Sequence, residues 1–99
     1  MAFEVAFAES VVEHLRALTA AERSRVLDVV GRQLTHEPLT ESRNRKPLRP
    51  NPVAPWELRL QTLRVFYEVA SDAPQVVRVL AIGKKDRNVL RIGAREIKL

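Results

Sequence analysis

The chain has 99 residues and carries 17 lysines and arginines against 12 aspartates and glutamates, a formal net charge of +5. A chain of this length builds one hydrophobic core, so we expect a single domain over residues 1–99 and exclude multidomain enzymes. It contains no cysteine and only two histidines. This composition excludes disulfides, a thiolate nucleophile and a cysteine-ligated zinc, and no metal or other cofactor is expected. The first residues show no secretion signal and no apolar run is long enough to span a membrane, so we expect a cytoplasmic protein without membrane contact.

The first third of the chain predicts one strand and two helices. Residues 2–8 alternate bulky side chains with small or polar ones, which is typical of a strand. Capping-box patterns follow at 10–13 and 19–22, where a serine or threonine precedes a glutamate by three residues. We therefore expect a helical hairpin that ends near Pro38. Its apolar stripes, at helical spacing, are Val11, Leu15 and Leu18, then Val26, Leu27, Val30 and Leu34.

Residues 36–55 differ in composition from the rest of the chain. They contain five of the six prolines, together with four basic residues, Arg43, Arg45, Lys46 and Arg49. This composition predicts a basic loop without helix or strand. Loops of this length in small domains are usually functional or mobile.

The second half predicts an antiparallel sheet. Residues 56–60 and 63–69 alternate in hydrophobicity around Gln61 and Thr62, which predicts a hairpin that pairs Arg59 with Arg64. After a turn at 71–74 comes a nearly unbroken apolar run, typical of a central strand, at 76–82. A charged turn is expected at 83–88 and a further strand, broken at 93–94, over 89–99. The class is therefore α+β: an N-terminal strand, a two-helix hairpin, and three or four antiparallel strands in one sheet.

Cationic side chains concentrate in and beside the predicted sheet. Like charges directly opposite one another on a sheet repel by roughly several tenths of a kcal/mol, so Arg59 and Arg64 would attract an anion. Basic surfaces bind phosphate backbones, although basic residues on a small protein can also serve only to keep its surface hydrated. Phe66 shares the predicted face of the arginines and either stacks on a base or covers the edge of the core. The residues expected to contact RNA are Arg45, Lys46, Arg49, Phe66, Arg87 and Arg91.

Catalysis, if present, must use lysine and arginine, because no serine–histidine–aspartate set, phosphate-binding glycine loop or obvious carboxylate pair is found. Arginine cannot give up its proton near neutral pH but can neutralise a pentacovalent phosphorane. A lysine crowded by other cations can exchange a proton in the working range. Lys84 and Lys85 are the candidates for this proton transfer.

Three stretches carry a resemblance to a known family. Residues 56–60 (WELRL), 64–69 (RVFYEV) and 79–88 (VLAIGKKDRN) resemble the RelE/ParE superfamily of bacterial toxins, and the order of elements agrees. The resemblance implies a RelE-like fold and a cognate antitoxin protein in a toxin–antitoxin hetero-oligomer. For the RelE branch it also implies a metal-independent endoribonuclease that cuts mRNA on the ribosome and so inhibits translation.

The resemblance also implies roles for individual residues. Arg59 and Arg64 would stabilise the charge of the transition state, and Lys85 or Lys84 would move protons. Two positions depart from the family: Glu57 stands where a basic residue is common, and Arg91 stands where a tyrosine is common. Glu57 either acts as a base or pairs with Arg59 and weakens the site.

These departures leave two alternatives open. One is a non-catalytic toxin of the ParE type that inhibits DNA gyrase, against which the retained Arg64 and Lys85 argue. The other is a degenerate toxin fold that only binds nucleic acid or an antitoxin, which Glu57 and Arg91 favour.

Overall fold

The computed structural model describes residues 3–70 and 75–98, so the turn predicted at 71–74 lies outside the described residues. The elements are β1 (Glu4–Phe7), α1 (Val11–Arg16), α2 (Ala20–Gln33), β2 (Arg45–Pro47), β3 (Trp56–Leu60), β4 (Leu63–Val69), β5 (Val76–Asp86), β6 (Val89–Ile92) and β7 (Arg95–Ile97). The strands form one sheet in the order β2-β3-β4-β5-β6-β7, with antiparallel neighbours, and β1 pairs in parallel with the first part of β5. The predicted α+β class is confirmed. No helix in the described ranges is long and apolar enough to cross a membrane.

The β3–β4 hairpin has the register predicted from its alternation. Leu60 pairs with Leu63, and Arg59 pairs with Arg64. Gln61 adopts a φ of 58°, and a positive φ at the first turn residue matches the twist of the two strands. Because side chains alternate along each strand, this register divides the hairpin into an apolar face and a polar face.

The helices cover one face of the sheet, which we call the helix face. Tyr67 is fully buried there, stacks on Trp56 with ring centroids 6.1 Å apart, and donates a hydrogen bond to the Pro38 carbonyl oxygen at 2.6 Å. Leu27, predicted in the apolar stripe of α2, is 44% exposed, because it lies on the side of α2 away from the sheet. The core on this face contains Val11, Leu18, Val26, Val30, Leu34, Leu58, Leu60, Leu63, Val65, Tyr67, Val77, Val79 and Ile82.

The opposite face carries a second, smaller core and is covered by chain from the 36–55 segment; we call it the loop face. Asn51 holds this covering segment in place. Its Oδ1 accepts hydrogen bonds from the amides of Val53 and Ala54, at 2.8 and 3.0 Å, and its Nδ2 donates to the Ala54 carbonyl oxygen at 2.9 Å. The buried residues of this core are Ala54, Phe66, Ala81, Leu90 and Ile92, with Leu48, Val53, Leu80 and Ile97 packed against them.

Two predictions about strands were wrong. Arg45–Pro47, predicted as loop, forms strand β2, because the exposed edge of β3 offers its backbone to a three-residue segment that has no hydrophobic pattern of its own. The predicted turn at 83–88 is confined to Arg87 and Asn88, which adopt φ values of 51° and 69°. β5 continues to Asp86 because β6 pairs with it. A Cβ at Gly83 would lie 2.4 Å from a backbone oxygen of β6, so this close pairing requires glycine.

Only one of the two predicted capping boxes forms. The Thr19 hydroxyl accepts a hydrogen bond from the Glu22 amide at 3.1 Å, and Glu22 Oε1 accepts one from the Thr19 amide at 2.9 Å. Ser10 makes no side-chain cap, because its backbone is helical (φ −62°, ψ −20°) instead of extended. Glu13 instead accepts a hydrogen bond from Arg16 at 2.9 Å. The prediction at 10–13 was therefore wrong.

Candidate functional site

Four of the charged residues singled out in the sequence come together on the loop face. Glu57 and Arg59 lie two residues apart on β3, and Arg64, the second residue of β4, pairs with Arg59. On β5, Gly83 is the partner of Arg64, and Lys85 follows two residues later. The backbone amide of Lys85 donates to a carbonyl oxygen in the β3–β4 turn at 2.7 Å. This bond ties the end of β5 to the hairpin that carries the arginines.

Glu57 is the negative charge within this group. It is 4% exposed, its Oε1 accepts a hydrogen bond from Arg59 Nε at 2.6 Å, and its Oε2 lies 3.9 Å from Arg64 Nε. The cross-strand arginines therefore have an anion supplied by the protein. Of the two interpretations of Glu57, the pairing with Arg59 is observed.

Arg64 is held rigidly at the hairpin turn. Its Nη1 donates to the carbonyl oxygens of Gln61 and Leu63, the latter at 2.9 Å, and its Nε is buried without a hydrogen-bond partner among the residues described. Burial lowers the pKa of Arg64, the charge of Glu57 raises it, and the charge of Arg59 lowers it again. Because arginine ordinarily loses its proton only far above neutral pH, the side chain remains a fixed cation near neutral pH.

A cleft of about 280 Å³ opens beside these charges. Glu57 and Lys85 belong to both the charged group and the cleft wall. Asn88 and Lys98 also line the cleft and were not singled out in the sequence. The sequence could have indicated Asn88 as a cleft residue, because it lies in the turn shortly after Lys85. Lys98, in contrast, reaches the cleft only through the pairing of β6 with β7. We call this space the cation cleft, and its lining residues are Glu57, Lys85, Asn88, Leu90, Ile97 and Lys98.

Lys84 does not belong to this group. It lies on the helix face, where its Nζ is 2.7 Å from Glu22 Oε2, because neighbouring residues of a strand point to opposite faces. The Lys84 contact is the main cause of the lowered pKa of Glu22. The sequence offers Lys84 and Lys85 alike, because both lie among other cations; β5 continues through both residues and so separates their side chains.

A second cavity of about 290 Å³ lies on the helix face, with Lys84, Asp86 and Arg91 among its lining residues. His14 of α1 also lines it, and its Nδ1 accepts a hydrogen bond from the Ile82 amide at 3.2 Å. Burial holds the pKa of His14 below its usual value, against the opposing charge of Glu13. Arg91, predicted to contact RNA, therefore lies on the face away from Glu57 and Lys85.

Two of the predicted RNA-contacting residues make contacts within the protein. Phe66 has 0% exposure within the smaller core, so a base cannot stack on it; covering the core is the role observed. Arg45 is 11% exposed and binds Gln33 Oε1, the Thr40 carbonyl oxygen at 3.0 Å, and Glu37 at 3.7 Å. Its guanidinium joins α2 to the following segment, and an RNA contact by Arg45 stays a prediction.

Three further residues predicted to contact RNA lie in different parts of the structure. Lys46 is the cross-strand partner of Glu57 and pairs with Glu41 at 3.5 Å. Arg49 is exposed in the covering segment, and Arg87 is exposed in the β5–β6 turn. These three remain candidates for a surface that contacts a polyanion.

The arrangement suits the binding and transfer of a phosphate group. Guanidinium groups bind phosphate oxygens, a lysine ammonium can give up a proton, and a carboxylate can accept one. Within residues 3–70 and 75–98 there is no group of three or more histidine, aspartate or glutamate side chains that could hold a metal ion.

No family model and no curated protein matches the chain by sequence. In structure, the chain is similar to the toxin-antitoxin complex RelBE2 from Mycobacterium tuberculosis, with a TM-score of 0.70 and 23% identity, covering 86% of this chain and 100% of that one. It is also similar to a mutant of the E. coli toxin RelE in the free state, with a TM-score of 0.64, 24% identity and coverage of 85% and 84%. For the RelE-RelB complex from Pyrococcus horikoshii the TM-score is 0.61, with 23% identity and coverage of 88% and 99%. The chain has a RelE-like fold, as its resemblance to that family implied.

Proposed function

We propose that this protein is the toxin of a toxin–antitoxin pair and that it inhibits translation by cutting mRNA on the ribosome, in the cytoplasm. The observation that carries the proposal is the grouping of Arg59, Arg64 and Lys85 on one face of a RelE-like fold. Lys85 lines an open cleft beside the arginines, so a ribose-phosphate backbone has a place to enter.

The chemistry follows from what these side chains can do. In RNA cleavage without a metal, the ribose 2′-oxygen attacks the adjacent phosphorus, and negative charge builds up on the phosphoryl oxygens. Arg59 and Arg64 would stabilise that charge, since fixed cations in a partly buried site need no reorganisation during the reaction. Lys85 would donate a proton to the departing 5′-oxygen.

An antitoxin is the proposed protein partner. Two of the similar structures are complexes of a toxin with its antitoxin. The chain has a net charge of +5, which complements an acidic partner. We propose a hetero-oligomer in which the antitoxin restricts access to the cation cleft.

The alternative is a RelE-like fold that binds without cutting. It is favoured by one observation, the ion pair at 2.6 Å by which Glu57 neutralises Arg59. Such a protein would bind antitoxin or nucleic acid and show no cleavage. Inhibition of DNA gyrase would be tested next in that case.

The deciding experiment is cleavage of a defined mRNA on programmed ribosomes, with primer extension to locate the cut. Wild type should cut in the ribosomal A site, and Lys85→Ala should lower the rate on the order of 10²–10⁴-fold. Arg64→Ala should lower it on the order of 10²–10³-fold, the typical effect of removing one charge-stabilising donor.

Lys84→Ala is the matched control, because it removes the same type of side chain one residue away but on the helix face. It should cut at close to the wild-type rate. Circular dichroism must show that all variants are folded. A folded wild type that leaves ribosome-bound and free mRNA intact would refute the nuclease proposal.

A further inference from the structure

Among the described residues that line the cation cleft, Glu57 is the one carboxylate; the others are basic, amide-bearing or apolar. It is 4% exposed as a residue, yet it forms part of the cleft wall. A ribose-phosphate backbone bound in the cleft would therefore lie against Glu57.

The two carboxylate oxygens of Glu57 differ in their surroundings. Oε1 accepts the hydrogen bond from Arg59 Nε at 2.6 Å, which fixes the orientation of the group. Oε2 lies 3.9 Å from Arg64 Nε, beyond hydrogen-bond distance. Oε2 is therefore the oxygen left to accept a proton from a ligand.

The backbone of Glu57 is also held on both sides by neighbouring strands. It lies within β3, with Lys46 as its partner on β2 and Phe66 on β4. A proton acceptor must stay within hydrogen-bond reach of the group that it deprotonates, so a carboxylate fixed at both its backbone and one oxygen suits the role.

From these observations we infer that Glu57 is the general base of the reaction, accepting the proton of the attacking ribose 2′-hydroxyl. The inference rests on the proposed nuclease function. The O2′–P bond forms as the 2′-hydroxyl proton passes to Glu57 Oε2, and the P–O5′ bond breaks as Lys85 protonates O5′. The products are a 2′,3′-cyclic phosphate and a 5′-hydroxyl, after which Glu57 loses its proton to solvent and Lys85 regains one.

A different role predicts the opposite result. If Glu57 only neutralises Arg59, it competes with the substrate phosphate, and removal of its charge should speed cleavage. Glu57→Gln distinguishes the two roles, because the amide keeps an oxygen for Arg59 but is not a base.

The test compares single-turnover cleavage on programmed ribosomes by wild type, Glu57→Gln and Glu68→Gln. Glu68 is a matched control, because it also forms an ion pair with an arginine on the sheet, Arg78, at 3.1 Å, but lines no part of the cation cleft. Glu57→Gln should cleave on the order of 10²–10⁴-fold more slowly. Its affinity for RNA with a 2′-deoxy nucleotide at the cut site should be unchanged or higher, since a negative charge has been removed. Glu68→Gln should match wild type.

Cleavage by Glu57→Gln at or above the wild-type rate would overturn the inference while leaving the nuclease proposal standing. Failure of wild type to cleave would instead overturn the nuclease proposal, and the role of Glu57 with it. If Glu57→Gln does not fold, Glu57→Asp is the second variant. It keeps the negative charge, but its side chain is one methylene shorter, so the carboxylate lies farther from the 2′-hydroxyl. That variant should cleave more slowly at unchanged RNA affinity, and an unchanged rate would refute the inference.

Discussion

Replacing Thr19 by alanine should destabilise the protein, whereas replacing Ser10 by alanine should not. Both residues precede a helix and a glutamate with the same spacing, but only Thr19 forms a capping box. Thr19→Ala removes the acceptor of the hydrogen bond from the Glu22 amide and leaves that amide to water. Loss of such a cap costs about 1 kcal/mol of the free energy of unfolding, within a range of roughly 0.5–2 kcal/mol.

The exposure of the cap limits how much unfolding free energy Thr19→Ala can remove. Because the cap is exposed, water replaces part of the lost hydrogen bond, so the effect should stay near 1 kcal/mol. With a urea dependence of about 1–2 kcal/mol/M, the unfolding midpoint should fall by roughly 0.5–1 M. In Ser10→Ala no side-chain cap is lost, and the change should remain within about 0.5 kcal/mol.

Urea unfolding followed by the fluorescence of Trp56, the single tryptophan, measures both variants. Trp56 stacks on the buried Tyr67, so its emission reports on the core of the helix face. Equal destabilisation by Thr19→Ala and Ser10→Ala would refute the reasoning, because it would mean that the spacing of the residues and not the backbone conformation at the cap determines the effect.

Three further predictions concern the stability of the fold. Tyr67→Phe leaves the Pro38 carbonyl oxygen without its donor and should cost about 1–3 kcal/mol in urea unfolding; a change below about 0.5 kcal/mol would contradict the buried hydrogen bond. The pKa of His14 is lowered from 6.5, so the unfolded chain takes up the proton first and stability should fall as the pH drops below about 6.5. Unfolding measured against pH should show this fall in wild type but less of it in His14→Gln. Gly83→Ala should cost about 1–3 kcal/mol, because the new Cβ meets backbone at 2.4 Å. Gly31→Ala has open space in a helix and should stabilise by about 0.5–1 kcal/mol; thermal unfolding that ranks the two alike would refute the steric argument.

The sequence by itself determined the elements whose signals are local. Period-two alternation around Gln61 and Thr62 specified the β3–β4 register, because a slip of one residue would expose the apolar face of both strands. The same register placed Arg59 beside Arg64 and Glu57 on their face. The helix pattern after Thr19 likewise predicted α2, since it combines a cap with apolar residues at helical spacing.

Only the tertiary structure decided what depends on pairing between distant segments. β2 exists because β3 has a free edge, and β5 extends to Asp86 because β6 pairs with it. That extension separates Lys84 from Lys85 onto opposite faces, and the pairing of β6 with β7 brings Lys98 to the cation cleft. The burial of Phe66 depends on a segment that folds back over the loop face, which no local pattern encodes. Backbone hydrogen bonding between strands is satisfied by partners far away in the chain, so its extent is a property of the assembled sheet and not of any one stretch of sequence.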